Sequence, residues 1–162
     1  MDPLLFLRAL ALGFSIAAPV GPIGALCIRR TLTQGRLTGF MTGLGAATAD
    51  ALYGAIAAFG LTAITTALVG ISFWTRLIGG LFLIYLGVRT LLARPAEGEA
   101  APESRRDLIG AYASTVALTL TNPATIISFL GVFAGLGIGA GSGWAGALII
   151  VAGVFAGSLA WW

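Results

Sequence analysis

Long apolar runs separated by short polar segments dominate the chain. Five runs are close to, or longer than, the roughly 20 residues that one bilayer crossing needs. We expect transmembrane helices at about 4–28, 37–61, 73–92, 108–136 and 144–162. The most hydrophilic segment, at about 93–107, contains proline, glycine and mixed charges, and we interpret it as a flexible cytoplasmic loop between two halves. The pattern predicts an all-α integral membrane protein with a single transmembrane domain, 1–162.

The composition supports this interpretation and excludes several function classes. Hydrophobic residues make up 58% of the 162 positions and charged residues only 9%, against about 25% in soluble domains. A soluble globule and a disordered chain are therefore excluded. The single cysteine, Cys27, and the absence of histidine leave no internal disulfide, no redox pair and no nucleophile–base pair. We therefore expect no enzyme, no metal site and no cofactor.

The arginines are scattered rather than gathered into a basic stripe, so we expect no nucleic-acid partner. Their distribution indicates orientation, because cytoplasmic loops are enriched in arginine. Three arginines follow the first apolar run, one follows the second, and four lie in or beside the hydrophilic segment: Arg29, Arg30 and Arg36, then Arg76, then Arg89, Arg94, Arg105 and Arg106. This alternation predicts an N-terminus outside. We interpret Arg29, Arg30 and Arg36 as orientation charges, with gating or binding of anionic lipid as alternative roles.

Two of the apolar runs contain segments that interrupt a helix. Residues 18–22 (APVGP) lie in the first run and residues 121–123 (TNP) in the fourth. A proline inside a helix frees backbone carbonyls, and half-helix ends with freed carbonyls are ready ligands for polar substrates. For either break alone, a proline kink that serves only packing is the alternative. Because the breaks lie in the first helices of two three-helix halves, they predict a 3+3 inverted repeat with a site between the halves.

Asp50 is the only acidic residue deep inside an apolar run. An unpaired carboxylate is costly in a membrane, so Asp50 is expected to face a polar interior or to carry a proton. Its function would be proton coupling or binding of a substrate amine. The alternative is a structural carboxylate, hydrogen-bonded to Asn122 or to carbonyls freed by the prolines. The candidate substrate- or ion-binding residues are Asp50, Pro19, Gly21, Pro22, Asn122 and Pro123.

Small residues recur at four-residue intervals in two of the runs. They are Gly39, Gly43 and Ala47 in the second run and Gly153 and Gly157 in the fifth. This spacing lets transmembrane helices approach closely. We interpret these positions as helix-packing residues that bring Asp50 near the broken helices.

These motifs together resemble a known family of membrane transporters. Residues 18–32 (APVGPIGALCIRRTL), with Gly35, Arg36, Gly39, Gly43, Gly45 and Asp50, resemble the N-terminal signature of LysE-type translocators (lysine exporters, RhtB-like), and residues 121–129 (TNPATIISF) resemble the family's second motif. The resemblance implies a secondary exporter of amino acids or related small metabolites in the bacterial inner membrane, driven by protons or by the membrane potential. It places Pro19, Gly21 and Pro22 on the first helix break, Asp50 on the carboxylate of the second helix, and Asn122 and Pro123 on the break of the fourth helix.

Members of this family normally have six transmembrane helices, so the resemblance implies that this sequence contains five of the six. A homodimer is one way to supply the packing surface that the sixth helix would provide. Two alternatives to an active exporter are a non-transporting membrane scaffold and an inactive, truncated exporter fragment. A scaffold needs no aligned polar site, whereas an exporter requires Asp50 and both breaks to converge on one polar pocket. The expected partners are the lipid bilayer and a small amino-acid-like substrate.

Overall fold

A computed structural model describes residues 3–18, 21–59, 81, 88, 104–122, 125–126, 128–129 and 143–162. The long helices in these residues are α1 (Pro3–Ala17), α2 (Pro22–Gln34), α3 (Arg36–Ala58), α4 (Arg105–Leu120) and α5 (Gly143–Trp161). Every regular element among the described residues is a helix, so the all-α fold class is confirmed for them. The expected third transmembrane helix, 73–92, and most of the expected loop, 93–107, lie outside the described residues.

The first apolar run is divided into two helices, α1 and α2, whose axes differ by 80°. α1 ends at Ala17, and α2 begins at Pro22 with Gly21 as its N-cap residue. Proline is favoured at the first position of a helix, because the N–H that it lacks has no intrahelical acceptor there. Pro19 lies outside the described residues. The local sequence thus explains where α2 starts.

Residues 29–34, which we expected in a polar loop, form the last turns of α2. That expectation was wrong because polar side chains in this segment bond within the helix instead of ending it. The hydroxyls of Thr31 and Thr33 donate to the carbonyls of Cys27 and Arg29, at 2.8 and 2.9 Å. The helix ends only at Gly35, whose φ of 100° is a conformation that residues with a Cβ rarely adopt.

A capping box fixes the N-terminus of α4. The backbone N–H of Asp107 donates to Oγ of Ser104, and the backbone N–H of Ser104 donates to the Asp107 carboxylate, both at 3.2 Å. The box satisfies the N–H of Ser104, and the N–H of Asp107 also donates to the carbonyl of Ser104 at 3.0 Å. At its other end α4 stops at Leu120, directly before the second break. Asn122 of that break is described, whereas Pro123 lies outside the described residues.

α3 packs against α2, α4 and α5 and forms the centre of the described bundle. Its contacts with α5 move toward the C-terminus of α3 as they move toward the N-terminus of α5. Asp50 is hydrogen-bonded to Ser158, and one turn later Gly54 packs against Val154. α3 and α5 are therefore antiparallel.

The contacts between α3 and α4 run in the same direction. Gly45 lies against the backbone of Tyr112, and about two turns later the side chain of Tyr53 reaches Leu120. α3 and α4 are therefore parallel, with their N-termini at the same end of the bundle.

α1 runs along α5 in parallel. Gly153 lies against the backbone of Phe6, and two turns later Phe14 packs edge-to-face on Trp161 with ring centroids 5.4 Å apart. α1 and α5 thus run in one direction through the bundle, and α3 and α4 run in the other.

The interior contains many small and hydroxyl-bearing side chains beside a few large apolar ones such as Phe129 and Ile150, while many other large apolar side chains face outward. Exposed examples are Leu4, Leu7, Ile28, Leu32, Phe40, Leu52, Ile109 and Leu148. Among the described residues, α5 is long and apolar enough to span a membrane alone, and α1 with α2 meets the same criterion as one bent pair. Helix interfaces made of small residues, with large apolar side chains on the outer surface, are typical of helices that pack within a bilayer.

Candidate functional site

A cavity lies where α2 begins and α4 ends, beside α3. Its volume is about 60 Å³, enough for several water molecules, since one water needs about 10–15 Å³. Four of the six candidate binding residues line it: Gly21, Pro22, Asp50 and Asn122. The other two, Pro19 and Pro123, lie outside the described residues. The structure therefore brings Asp50 together with described residues of both breaks.

Asp50 lies near the middle of α3 and is 3% exposed. Ser158, which is fully buried on α5, donates its hydroxyl to Oδ2 of Asp50 at 2.6 Å. Among the described residues, no arginine pairs with this carboxylate, and no hydrogen bond reaches Oδ1. One carboxylate oxygen is thus held by α5, while the residue borders the cavity.

Thr119, in the last turn of α4, lines the same cavity and is 3% exposed. A threonine in a helix usually donates its hydroxyl to the carbonyl four residues earlier, which satisfies it locally. The threonines that do so here are Thr31, Thr33, Thr38, Thr42, Thr48, Thr115 and Thr121. The buried hydroxyl of Thr119 has no hydrogen-bond partner among the described residues. A buried hydroxyl without a partner is costly, so a ligand or water at this position would satisfy it.

The carbonyls at the second break are engaged within the protein. A proline at position 123 cannot donate an N–H to the carbonyl of Thr119, which instead accepts from the backbone N–H of Asn122 at 3.2 Å. The hydroxyl of Tyr53 on α3 donates to the carbonyl of Leu120 at 2.5 Å. These two carbonyls therefore hold the end of α4 in place, and we do not count them among the groups free to bind a substrate.

The N-terminus of α2 opens on the cavity. Gly21, the N-cap residue, has no side chain with which to cap the helix, and Pro22 follows it. Ile23 and Gly24, in the first turn, also line the cavity. The first backbone N–H groups of a helix have no intrahelical acceptor and carry a partial positive charge, so this end of the cavity favours a negative group.

Arg30 lies away from the cavity, further along α2, and joins three helices. Its Nη1 donates to Thr42 of α3 at 3.3 Å and to the carbonyl of Ala111 and the hydroxyl of Thr115 on α4, at 3.1 and 3.0 Å. Its Nη2 donates to Ser114 of α4 at 2.9 Å. Our interpretation of Arg30 as only an orientation charge is therefore incomplete, because its guanidinium group connects α2 and α3 to α4.

The predicted packing residues lie at helix contacts. A Cβ at Gly153 would come within 2.6 Å of Ala9 on α1, and a Cβ at Gly157 would overlap the backbone of Leu10. Gly39 leaves space for Thr31 on α2, Gly43 leaves space for Trp162, and Ala47 is fully buried. α1 therefore lies directly against the α5 turns that precede and carry Ser158.

Several residues of the site were missed by sequence reasoning. They are Ser158, Thr119, Thr125 and Trp162. Trp162 lines the cavity, and its buried Nε1–H has no hydrogen-bond partner among the described residues. A signal existed for Ser158, since it directly follows a glycine of the packing stripe. Nothing in the sequence distinguishes Thr119 from the other helical threonines.

Known proteins resemble this chain over most of its length. The family model described as LysE type translocator matches residues 14–162. The chain is 35% identical over 135 residues to a Bacillus subtilis (strain 168) protein named "Putative amino acid efflux protein YcgF", which covers 80% of this chain and 62% of that protein. It is 28% identical over 116 residues to "Uncharacterized membrane protein YahN" of Escherichia coli (strain K12), covering 65% of this chain and 48% of that protein. The chain thus spans about half to three-fifths of the length of these relatives. No solved structure matches it.

Proposed function

The chain belongs to the LysE type translocator family of membrane proteins, and we propose that it is a secondary exporter of amino acids or related small metabolites in the bacterial cytoplasmic membrane. The family is one of translocators rather than of enzymes. The relative named as an amino acid efflux protein supports the proposed substrate class.

A single observation carries this proposal: Asp50, Asn122 and the residues that begin α2 line one cavity. A transporter of this kind needs a polar site inside an apolar bundle, built where helices are interrupted. A non-transporting scaffold has no need to gather an acidic side chain and two helix breaks around a common space. The arrangement therefore favours an exporter over a scaffold.

In the proposed mechanism, substrate enters from the cytoplasm between the two halves and reaches the cavity. Asp50 then takes up or releases a proton, or neutralises a substrate amine, as the halves rock against each other. A buried carboxylate suits this task because its charge is costly without a partner, so loading and unloading of a proton or cation changes which conformation is favoured. We propose protons as the coupling ion.

The helix positions support a 3+3 inverted repeat. Pro19 and Pro123 lie 104 positions apart in the sequence (123 − 19). Shifted by this number, α1 falls on 107–121 and α3 falls on 140–162, within a few residues of α4 and α5. α1 and α4 run in opposite directions, as do α3 and α5, which is what an inverted second half requires.

The contacts between α3 and α5 support the same plan. A shift of 104 positions maps position 50 onto 154 and position 54 onto 158. In the structure Asp50 contacts Ser158 and Gly54 contacts Val154, so the shift maps each contact onto the other. A two-fold axis between the halves would exchange these two contacts with each other, so we propose that the axis passes beside Asp50.

The parallel course of α3 and α4 supports an N-terminus outside. α3 begins at Arg36 and α4 at Arg105, followed by Arg106. Because the two helices are parallel, these arginines lie at the same end of the bundle. Arginine is enriched at cytoplasmic ends, so we propose that α3 and α4 start in the cytoplasm and that α1 starts outside. We also propose that two copies of the chain associate as a homodimer.

An export assay tests the function. Cells that produce the protein are expected to survive a toxic amino-acid analogue, and Asp50→Asn is expected to abolish that resistance without lowering the amount of protein in the membrane. Asp107→Asn is the matched control, because it changes an exposed carboxylate at the cap of α4 and should leave resistance intact. Undiminished resistance in Asp50→Asn cells would contradict the assignment, and an inactive wild-type chain would favour the truncated fragment.

A further inference from the structure

The cavity is lined by hydrogen-bonding groups of two kinds. Two are donors, the buried hydroxyl of Thr119 on α4 and the indole N–H of Trp162 directly after the end of α5, neither of which has a partner among the described residues. The other is the carboxylate of Asp50 on α3, with Ser158 bonded to one of its oxygens. A cavity with separate donor and acceptor groups is complementary to a ligand that carries both an anion and a cation.

Thr119 provides the observation that points to a ligand. Seven other threonines of the described helices satisfy their hydroxyls on the carbonyl four residues earlier, and Thr119 does not, although it is 3% exposed. Native proteins seldom leave a buried polar group unpaired unless it serves a function or meets a water or ligand. Because Thr119 lines the cavity, a ligand bound there is the candidate partner for its hydroxyl.

The N-terminus of α2 adds a second preference for an anion. This helix has 13 residues and starts at the cavity with glycine and proline, so no side chain caps its first N–H groups. Helix N-termini bind carboxylate and phosphate groups through these N–H groups and the helix dipole. None of the cavity's described lining residues is an arginine, so the anion would be held by neutral donors alone.

The size of the cavity limits the ligand. A volume of about 60 Å³ holds only a few water-sized groups, since one water needs about 10–15 Å³. This space suits an amino acid with a small side chain.

From these observations we infer that the cavity binds a small zwitterionic α-amino acid in a fixed polarity. Its carboxylate lies at the N-terminus of α2 and the Thr119 hydroxyl, and its ammonium group lies at Asp50. This inference rests on the proposed function and specifies its substrate class and the orientation in which the substrate is held.

Three small molecules test the polarity: L-alanine, ethylamine, which lacks the carboxylate, and propionate, which lacks the ammonium group. The midpoint of thermal unfolding of the purified full chain in detergent is measured as each is titrated. L-Alanine is expected to raise the midpoint saturably and at lower concentration than the other two. In Thr119→Val the apparent Kd for L-alanine is expected to rise about ten-fold or more while that for ethylamine is unchanged.

Two further measurements keep the result interpretable. Unliganded Thr119→Val should unfold at the same or a higher temperature than the wild type, because the removed hydroxyl has no partner to lose. Thr33→Val, which removes an exposed hydroxyl bonded within α2, should leave every Kd unchanged. Equal binding of L-alanine and ethylamine, or a wild-type Kd in Thr119→Val, would overturn the inference. If cells still export amino acids in that case, the proposed function stands; if they do not, both fail.

Discussion

Asp50 and Arg30 both carry a charged group into the helix bundle, and their surroundings differ. Within the described part of the chain, the guanidinium of Arg30 donates four hydrogen bonds to α3 and α4, and none of these acceptors is a carboxylate. The carboxylate of Asp50 accepts one hydrogen bond from the same set of residues, donated by Ser158, and borders a cavity. Arg30 is held by neutral groups on two neighbouring helices, whereas Asp50 has spare hydrogen-bonding capacity.

The number of hydrogen bonds that hold a buried charged group is a criterion for separating a structural charge from a functional one in an apolar chain. A charged group with several hydrogen bonds to neighbouring helices resists movement, because a rearrangement breaks several charge-assisted hydrogen bonds at once. A charged group with one partner and an adjoining space can change its protonation or its ligand at small cost to the fold. We therefore propose that Arg30 serves helix association and that Asp50 serves transport.

The largest expected effect on stability follows from removing the guanidinium. Arg30→Met leaves the hydroxyls of Thr115 and Ser114 without their cationic donor. Hydrogen bonds to charged groups contribute about 1.5–3 kcal/mol each. Because the guanidinium group of Arg30 is only half-buried, we expect the variant to lower the free energy of unfolding by roughly 2–4 kcal/mol in total. Arg29→Met, one residue earlier on α2, should change stability by about 0.5 kcal/mol or less. Chemical denaturation in detergent measures both. Equal stabilities would show that the Arg30 hydrogen bonds do not hold the helices together.

A smaller effect is expected at the partner of the carboxylate. Ser158→Ala removes the hydrogen bond to Asp50 and should lower the export rate about ten-fold, because a misplaced carboxylate meets its proton or substrate less often, while costing only about 1 kcal/mol of stability. Ser15→Ala serves as its control, since Ser15 is exposed and bonds to Ala11 of its own helix. Export by Ser158→Ala at the wild-type rate would remove Ser158 from the site.

The smallest effect is expected at the end of α4. Tyr53→Phe frees the carbonyl of Leu120 and should cost about 1 kcal/mol of stability, with a modest loss of export because Thr119 and Asn122 lose a fixed helix end. Tyr112→Phe removes a longer hydrogen bond, 3.2 Å, to a threonine that keeps another partner. Denaturation midpoints of the two variants distinguish them. A larger loss in Tyr112→Phe would contradict the role given to Tyr53.

Sequence reasoning predicted the all-α fold class and four of the residues that line the cavity. The apolar runs indicated helices, the prolines marked where α1 and α2 separate, and a lone acidic residue in an apolar run identified Asp50. These features are local, because a proline or a charge acts on the helix that contains it.

The remaining features depend on contacts between distant segments, which no local pattern encodes. The partner of Asp50 is a serine 108 positions away, and the hydroxyl of Thr119 is unusual only because its seven counterparts bond within their helices. The role of Arg30 was hidden for the same reason, since its acceptors on α4 lie more than 80 positions away. The length of α2 was misjudged because polar residues can end a membrane run without ending a helix.

The most direct test of the central claim measures export and folding on the same two variants. Asp50→Asn and Arg30→Met are reconstituted in vesicles with a pH gradient, and L-alanine transport is measured per folded molecule. We expect Asp50→Asn to keep the wild-type unfolding midpoint and lose transport, and Arg30→Met to lose stability while its folded fraction still transports. Transport by Asp50→Asn at the wild-type rate would contradict the claim that this carboxylate and its cavity form the translocation site.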